Sequence, residues 1–161
     1  MKAKIRTGLT LVVVMLLSGL FSLEQSTWAQ SENSNCKEVK GNLWVSFGPG
    51  VANGTITNGG IFNGTVATIF NDGSVVPTAD PTTVTFTGDT VITTNAGVLV
   101  THDVYVFDFV RSLGPGMLRI DPSASTGIFA GATGVVYLNV IFGGPESGQA
   151  KLAGQICFAK E

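Results

Sequence analysis

The sequence predicts a single all-β domain of antiparallel strands, with the first and last strands side by side as in a closed barrel. Short runs of Val, Ile, Phe, Thr and Leu alternate with Gly, Pro, Asn and Asp, as is typical of strands joined by tight turns. No stretch has the apolar spacing of an amphipathic helix over three turns. Cys36 and Cys157 lie near the two ends of the domain, where a disulfide would hold the terminal strands together.

Eight strands are predicted along the chain. They cover residues 37–47, 54–58, 60–70, 82–94, 97–109, 116–121, 135–143 and 150–158. Residues 58–60 (Asn-Gly-Gly) and 95–97 (Asn-Ala-Gly) are hairpin-type turn signals, because Asn and Gly adopt positive φ at little cost. The prolines between 77 and 81 predict an irregular loop. Such connections favour antiparallel neighbours.

Two of these strands are apolar on both faces. In 135–142, Val136 and Leu138 share one face, while Tyr137 and Ile141 share the other, and 97–109 follows the same pattern. A strand of this kind must be covered on both sides. Without helices, the barrel interior covers one side and a subunit partner covers the other. The chain is therefore expected to form a homo-oligomer.

Residues 1–29 are predicted to be a signal peptide, which leaves 30–161 as the β-barrel domain. Lys2, Lys4 and Arg6 precede an apolar run from Leu9 to Leu23, and Thr-Trp-Ala at 27–29 supplies small residues at the cleavage site. The run is shorter than the roughly 20 residues of a membrane-spanning helix, so no stable membrane anchor is expected. The mature protein is expected to be secreted, to the periplasm or the medium.

The two cysteines are interpreted as a disulfide, since an isolated pair in an oxidising compartment is most simply bridged. Two free thiols are the alternative, and a metal site lacks neighbouring His or Cys ligands. Closing so long a loop would stabilise the fold by roughly 4–5 kcal/mol.

The charge balance excludes one class of partner. The chain has nine Lys and Arg against eleven Asp and Glu, and removing residues 1–29 takes away three cations and one acid. The remaining domain is mildly acidic and has no basic cluster, so a nucleic-acid partner is not expected.

Two segments carry a family resemblance. The first comprises residues 87–94 (TGDTVITT), with 97–99 (GVL) and 103–108 (DVYVFD), and the second is 125–134 (STGIFAGATG). Together they resemble the allene oxide cyclase and dirigent-like barrel superfamily, in its bacterial secreted branch. The resemblance implies an eight-stranded antiparallel barrel, a trimer as the first guess, and an apolar cavity for a lipid-like or phenolic molecule. The family's catalytic residues match no motif here.

The glycine-rich segment is interpreted as structural. Gly127, Gly131 and Gly134 would allow tight turns and close packing, with Phe129 as a plug. The segment lacks the Lys-Ser/Thr ending of a phosphate loop and precedes a strand. No cofactor and no metal site is predicted, because the oxygen ligands of a calcium loop are also missing.

Five polar residues in otherwise apolar strands are the candidate site: Asp89, Asp103, Tyr105, Asp108 and Arg119. A carboxylate inside an apolar barrel would have a raised pKa suited to acid–base work, and Asp103 and Asp108 are the first choices as catalytic groups. Tyr105, Arg119 and Asp89 are the candidate ligand-binding residues. The alternative is that each caps a turn or forms a rim ion pair, with Asp108 and Arg119 as a structural pair.

His102 is the only histidine in the sequence, and it directly precedes Asp103. Adjacent strand residues point to opposite faces, so the two are not expected to form a catalytic relay. A solvent-facing or core-bonded histidine is the expected state.

Three functions are carried forward. The favoured one is a secreted barrel that binds a small apolar molecule, with cofactor-free cyclisation, isomerisation or dirigent-like stereocontrol as the reaction class. The second is a structural or cell-envelope barrel with an interior filled by Phe62, Phe70, Phe86 and Phe107. The third is a secreted inhibitor or carrier that uses an exposed apolar face to bind a protein.

Overall fold

The computed structural model describes residues 35–144 and 146–160. The predicted signal peptide, residues 1–29, lies outside the described residues. The strands are β1 (Cys36–Gly48), β2 (Val51–Thr57), β3 (Gly64–Phe70), β4 (Val76–Pro77), β5 (Thr83–Thr94), β6 (Gly97–Asp108), β7 (Leu113–Ile120), β8 (Thr133–Gly144) and β9 (Ser147–Cys157). Two single-turn 3-10 helices, Gly60–Phe62 and Gly127–Phe129, precede β3 and β8.

The eight long strands form one closed ring. Their order is β3-β2-β1-β9-β8-β7-β6-β5, and β3 pairs with β5 to close it. Each of these pairings is antiparallel. The two-residue strand β4 pairs only with the start of β5 and stays outside the ring. The predicted eight-stranded antiparallel barrel is confirmed.

A disulfide between Cys36 and Cys157 joins the first and last strands, as predicted. The two residues are direct partners in the β1–β9 ladder and are 121 positions apart in sequence. Because one strand is the first in the domain and the other the last, the bridge fixes the seam at which the chain closes on itself.

Alternating side chains divide the barrel wall into an inner and an outer face. On β8, Val136 and Leu138 are buried inside, whereas Tyr137 and Ile141 are 56% and 63% exposed outside. The sequence predicts that a subunit partner covers these two outward positions. The core is thus a single apolar interior enclosed by the ring.

One end of the barrel is closed by the two 3-10 turns, which share the sequence Gly-Ile-Phe. Phe62 and Phe129 are buried there with ring centroids 5.6 Å apart, and Phe129 has no exposed surface. Gly127 has a φ of 63°, and a Cβ on it would lie 2.4 Å from the carbonyl oxygen of Ala96. The predicted plug and the structural role of this glycine are both observed.

The strand boundaries differ from the prediction at glycine-rich positions. β7 begins at Leu113, and Pro115 lies within it on the exposed face. The β6–β7 ladder is interrupted near this proline, because proline has no N–H to donate. Glycine and proline therefore suggested a loop where the chain remains extended.

Candidate functional site

The barrel interior has three levels. The plug of Phe62 and Phe129 closes one end, and half-buried phenylalanines surround the other. Between them, five polar side chains form a belt on the inner wall: Thr68, Thr90, Thr101, Asp103 and Tyr105. Alternation along β3, β5 and β6 places them inside, since each shares its face with buried apolar neighbours.

Asp103 is the centre of this polar belt and is only 3% exposed. Its Oδ2 accepts hydrogen bonds from the hydroxyls of Thr90 at 2.5 Å and Tyr105 at 2.7 Å. Its Oδ1 accepts one from Thr101 at 2.6 Å. Thr68 lies 2.7 Å from the Thr90 hydroxyl and donates to it, because the Thr90 proton is directed at Asp103. A single carboxylate thus orients four hydroxyl groups.

Glycines opposite the belt make room for it. Asp103 pairs in register with Gly88 on β5, and Tyr105 pairs with Gly116 on β7. A Cβ on Gly116 would lie 2.7 Å from Cδ1 of Tyr105, so the tyrosine ring occupies the space that a side chain at 116 would fill. Gly116 therefore sets the position of the Tyr105 ring.

The belt is electrostatically unusual because the carboxylate has no cationic partner. None of the ion pairs among the described residues includes Asp103. Burial raises the pKa of Asp103, and the three hydroxyl hydrogen bonds only partly oppose that effect. Burial, and then the nearby charge of Asp103, raise the pKa of Tyr105. Both groups are shifted toward holding their protons.

The open end of the barrel is lined by aromatic rings in two groups. Tyr105 stacks on Phe86 at 5.2 Å, and Phe70 meets both of these rings edge-on. The second group brings Phe142 to 5.0 Å from Phe47 and to 4.5 Å from Phe107. We call these residues the aromatic mouth: Phe47, Phe70, Phe86, Phe107 and Phe142. Its rings are half-buried, and Tyr105 connects them to the polar belt.

The space enclosed within the mouth is small. The cavity has a volume of about 50 Å³ and is lined by the mouth rings, aliphatic side chains and the belt residues Thr68, Thr90 and Tyr105. A typical ligand pocket has roughly 300–1,000 Å³. The interior as it stands therefore has room for a few atoms only.

The other predicted site residues lie away from this interior. Asp108 is the last residue of β6, where its carboxylate accepts hydrogen bonds from the backbone N–H groups of Val110 and Arg111 and pairs with the Arg111 guanidinium at 2.5 Å. These contacts lower the pKa of Asp108, with the Arg111 backbone N–H as the largest cause. Arg119 points outward on β7 and makes no ion pair among the described residues, so the suggested Asp108–Arg119 pair is replaced by Asp108–Arg111.

Asp89 belongs to a separate polar group on the outer wall. The Nδ1 atom of His102 lies 2.6 Å from Asp89, and its Nε2 lies 3.2 Å from Asp121. Hydrogen bonding to Asp89 is the main cause that raises the pKa of His102. Hydrogen bonds from Ser123 lower the pKa of Asp121 to about 2. His102 faces outward and Asp103 inward, as the alternation predicts, so the two form no relay.

Of the five candidate residues, the structure brings together Asp103 and Tyr105. The three threonines of the belt were not predicted. Each shares a strand face with a buried apolar residue, Val66, Ile92 or Leu99, but threonine is so common in strands that it does not stand out. Within the described ranges, no group of three or more His, Cys, Asp or Glu side chains is arranged to hold a metal ion.

Comparison with known proteins does not assign the chain to a family. No family model matches it, and no curated protein matches it. Among residues 35–144 and 146–160, no helix is long and apolar enough to cross a bilayer.

Proposed function

We propose that the barrel binds a small apolar molecule at the aromatic mouth, with one polar group of that molecule directed at Tyr105. The observation that carries this proposal is Asp103, a buried carboxylate held by three hydroxyl groups and by no cation. An uncompensated buried acid destabilises a fold, and strongly perturbed acids concentrate at functional sites. Its location beneath a ring of aromatic side chains favours an apolar ligand.

The chemistry proposed for the site is proton transfer without a cofactor. Tyr105 lines the cavity, whereas Asp103 stands behind it, so the tyrosine hydroxyl would contact the ligand. Asp103 would orient this hydroxyl: the Tyr105 oxygen would take a proton from the ligand as it passes its own proton to Oδ2 of Asp103, and the reverse transfer would return a proton to the product. A cyclase or isomerase needs such a group beside a ligand held in one conformation. The resemblance to allene oxide cyclases and dirigent-like proteins supports the same reaction class.

Binding requires the mouth to open, because about 50 Å³ does not hold a drug-sized molecule. The mouth rings are only half-buried, so their rotation breaks fewer contacts than the rotation of core rings would. Phe107 and Phe142 are the natural gate, since they pack on each other at the rim. Rotation of both rings would open the cavity, which already reaches the polar belt, at the rim.

The competing function is a structural barrel with a filled interior, and the small cavity is the observation that favours it. Native mass spectrometry of the purified protein, together with titration of the neutral fluorescent probe N-phenyl-1-naphthylamine, separates the two. We expect the probe to bind, and Tyr105→Phe to weaken binding at least tenfold, because Tyr105 lines the cavity. Asp89→Asn is the matched control, because Asp89 lies on the outer wall. A folded wild type that carries no ligand and binds no probe would leave the structural barrel as the answer.

We also infer that a second copy of the chain covers the outer wall of β6, β7 and β8. Val104, Met117 and Tyr137 are direct partners across these strands and are 44%, 39% and 56% exposed. A contiguous apolar row of this kind is typical of a subunit interface. Sedimentation velocity of the wild type and of Met117→Glu tests it, and a trimer is the expected species. A wild type that sediments as a monomer would refute it.

Export is the remaining part of the proposal. The disulfide supports an oxidising destination, periplasm or medium, because such bridges rarely persist in the cytosol. Fractionation of the producing cells, with detection of the processed N-terminus, is the test.

A further inference from the structure

The outer wall next to the proposed interface, beyond their shared strand β8, carries a second unusual surface, centred on Trp44. This tryptophan points outward from β1 and is 56% exposed. Trp44 is paired with Thr55 on β2 and with Gln149 on β9, and Gln149 is in turn paired with Ile141 on β8. We call the outward positions of β2, β1, β9 and β8 around this row the Trp44 face.

Uncharged hydrogen-bonding side chains dominate the Trp44 face. The row toward the plug contains Thr57, Asn42, Lys151 and Asn139, and the row toward the mouth contains Asn53, Ser46 and Ser147. Lys151 is the one charged residue in these rows. An amide both donates and accepts hydrogen bonds, so the face can meet groups of either kind.

Two grooves flank the tryptophan. One, of about 730 Å³, runs toward the mouth between Trp44, Asn53 and Gln149. The other, of about 410 Å³, runs toward the plug between Trp44, Asn42 and Asn139. Trp44 thus forms a ridge with a depression on each side, and the exposed amides line both depressions.

The amides of the face are not used by the fold. Within the part of the chain that the structure describes, the side chains of Asn42, Asn139 and Gln149 make no hydrogen bond to another protein group. Their donors and acceptors are free for a partner. An exposed indole next to unused amides is a combination that the barrel itself does not need.

From this arrangement we infer that the Trp44 face binds a neutral polysaccharide. The C–H groups on the flat side of a sugar ring carry partial positive charge, and the indole face carries partial negative charge, so the two stack. The hydroxyls around the sugar ring both donate and accept, which matches amide side chains. A groove on each side of the ridge accommodates a chain that continues past the stacked ring. The near absence of charge matches an uncharged glycan.

The inference is independent of the proposed ligand site, which lies inside the barrel. It also differs from the proposed subunit interface, where Val104, Met117 and Tyr137 offer apolar surface without amides. An acidic polysaccharide would need a basic surface, and Lys151 is the one cation in the Trp44 rows. A neutral glycan is therefore the occupant that the face fits best.

The test is isothermal titration calorimetry of the purified protein with cellohexaose, chitohexaose and laminarihexaose, together with pull-down on microcrystalline cellulose and chitin. We expect at least one neutral glycan to bind, and Trp44→Ala to weaken binding at least tenfold. Trp44→Phe should retain part of the affinity because it keeps a ring. The matched control is Phe109→Ala, which removes an aromatic side chain that is 57% exposed but lines neither groove. The affinity should be equal at 50 and 500 mM NaCl, because no ion pair contributes.

Three results would overturn the inference. The first is a folded wild type that binds none of these glycans. The second is equal loss of affinity in Trp44→Ala and Phe109→Ala, or loss of binding at high salt. The third is dissociation of a wild-type oligomer by Trp44→Ala, because the face would then be covered by a second copy of the chain. Thermal unfolding of each variant confirms that the fold is retained.

Discussion

Replacing Asp103 by asparagine separates the charge of the buried carboxylate from its hydrogen bonds. The remaining oxygen can still accept from Thr90 and Tyr105, which both donate to Oδ2. The new NH₂ group replaces Oδ1, and the Thr101 hydroxyl can rotate from donor to acceptor. The variant therefore keeps the geometry of the belt while removing the charge.

The sign of the effect follows from the raised pKa of Asp103. In the unfolded chain this carboxyl titrates near 3.9, so between that pH and the higher folded pKa the native state holds the extra proton. The stabilising contribution is complete below about pH 3.9 and is lost as the pH rises through the folded pKa. At neutral pH the variant should be more stable than the wild type by about 1.4 kcal/mol for each unit by which burial has raised the pKa.

A second substitution, Asp103→Val, isolates the hydrogen bonds. Thr90 can donate to Thr68 instead, and Tyr105 to Thr90, since these hydroxyls lie 2.7 and 3.3 Å apart. Thr101 is then left without its acceptor, at a cost of about 1–3 kcal/mol. Valine should therefore be less stable than asparagine by about that amount.

The assay is urea unfolding of the wild type and both variants from pH 2 to pH 8. Asp108→Asn is the control. Its effect on the free energy of unfolding should have the opposite pH dependence, because the contacts of Asp108 lower its pKa. Its contribution is present at neutral pH and is lost as the pH falls below about 3.9. If the wild type and Asp103→Asn show the same pH dependence, the carboxylate is ionised at no cost and the argument for a functional site fails.

Three further predictions test other parts of the structure. The pKa of His102, measured by NMR, should exceed 6.5 and should fall in Asp89→Asn. The contact between His102 and Asp89 stabilises the fold below about pH 6.5, and this contribution is lost as the pH rises through the folded pKa. Gly116→Ala should displace the Tyr105 ring, which near-UV circular dichroism would detect. It should weaken probe binding while leaving the melting temperature nearly unchanged. Cys36→Ser should cost roughly 4–5 kcal/mol of unfolding free energy in urea, because it opens a loop of 121 residues.

Most of the fold could be predicted from the sequence, because period-2 alternation and turn residues are local signals. The boundaries of β7 and β9 could not, since Gly114 and Gly148 resemble turn residues. Both glycines lie inside strands, where a Cβ would come within 2.9 Å of Phe142 and Val140 respectively. Each glycine makes room for a side chain of the neighbouring strand β8, and the local sequence around the glycine does not reveal such a contact.

The candidate site could be predicted only in part, for a related reason. Asp103 and Tyr105 stand out as polar groups in an apolar strand, and parity places them on one face. Asp89 and Arg119 stand out equally as polar residues. Each lies between the buried, inward-facing positions of its own strand, however, and therefore faces solvent. The choice of inner face depends on the register of the closed ring. The volume left between the aromatic rings depends on side-chain packing, which the sequence does not specify.

The two proposed binding surfaces lie on separate walls of one rigid ring, and this makes their tests independent. Trp44 points outward from β1, whereas Asp103 points inward from β6, four strands away in the ring of eight. Leu43 and Val45 of β1 line both the mouth cavity and the grooves, but Trp44 and Asp103 themselves lie on opposite faces and four strands apart, so substitutions of these two residues should have additive effects on stability. The disulfide and the plug fix the end of the barrel that lies away from the aromatic mouth, and neither binding surface is at that end. A variant that lost both the apolar probe and the glycan would therefore report a damaged barrel, and loss of one ligand alone would report its own site.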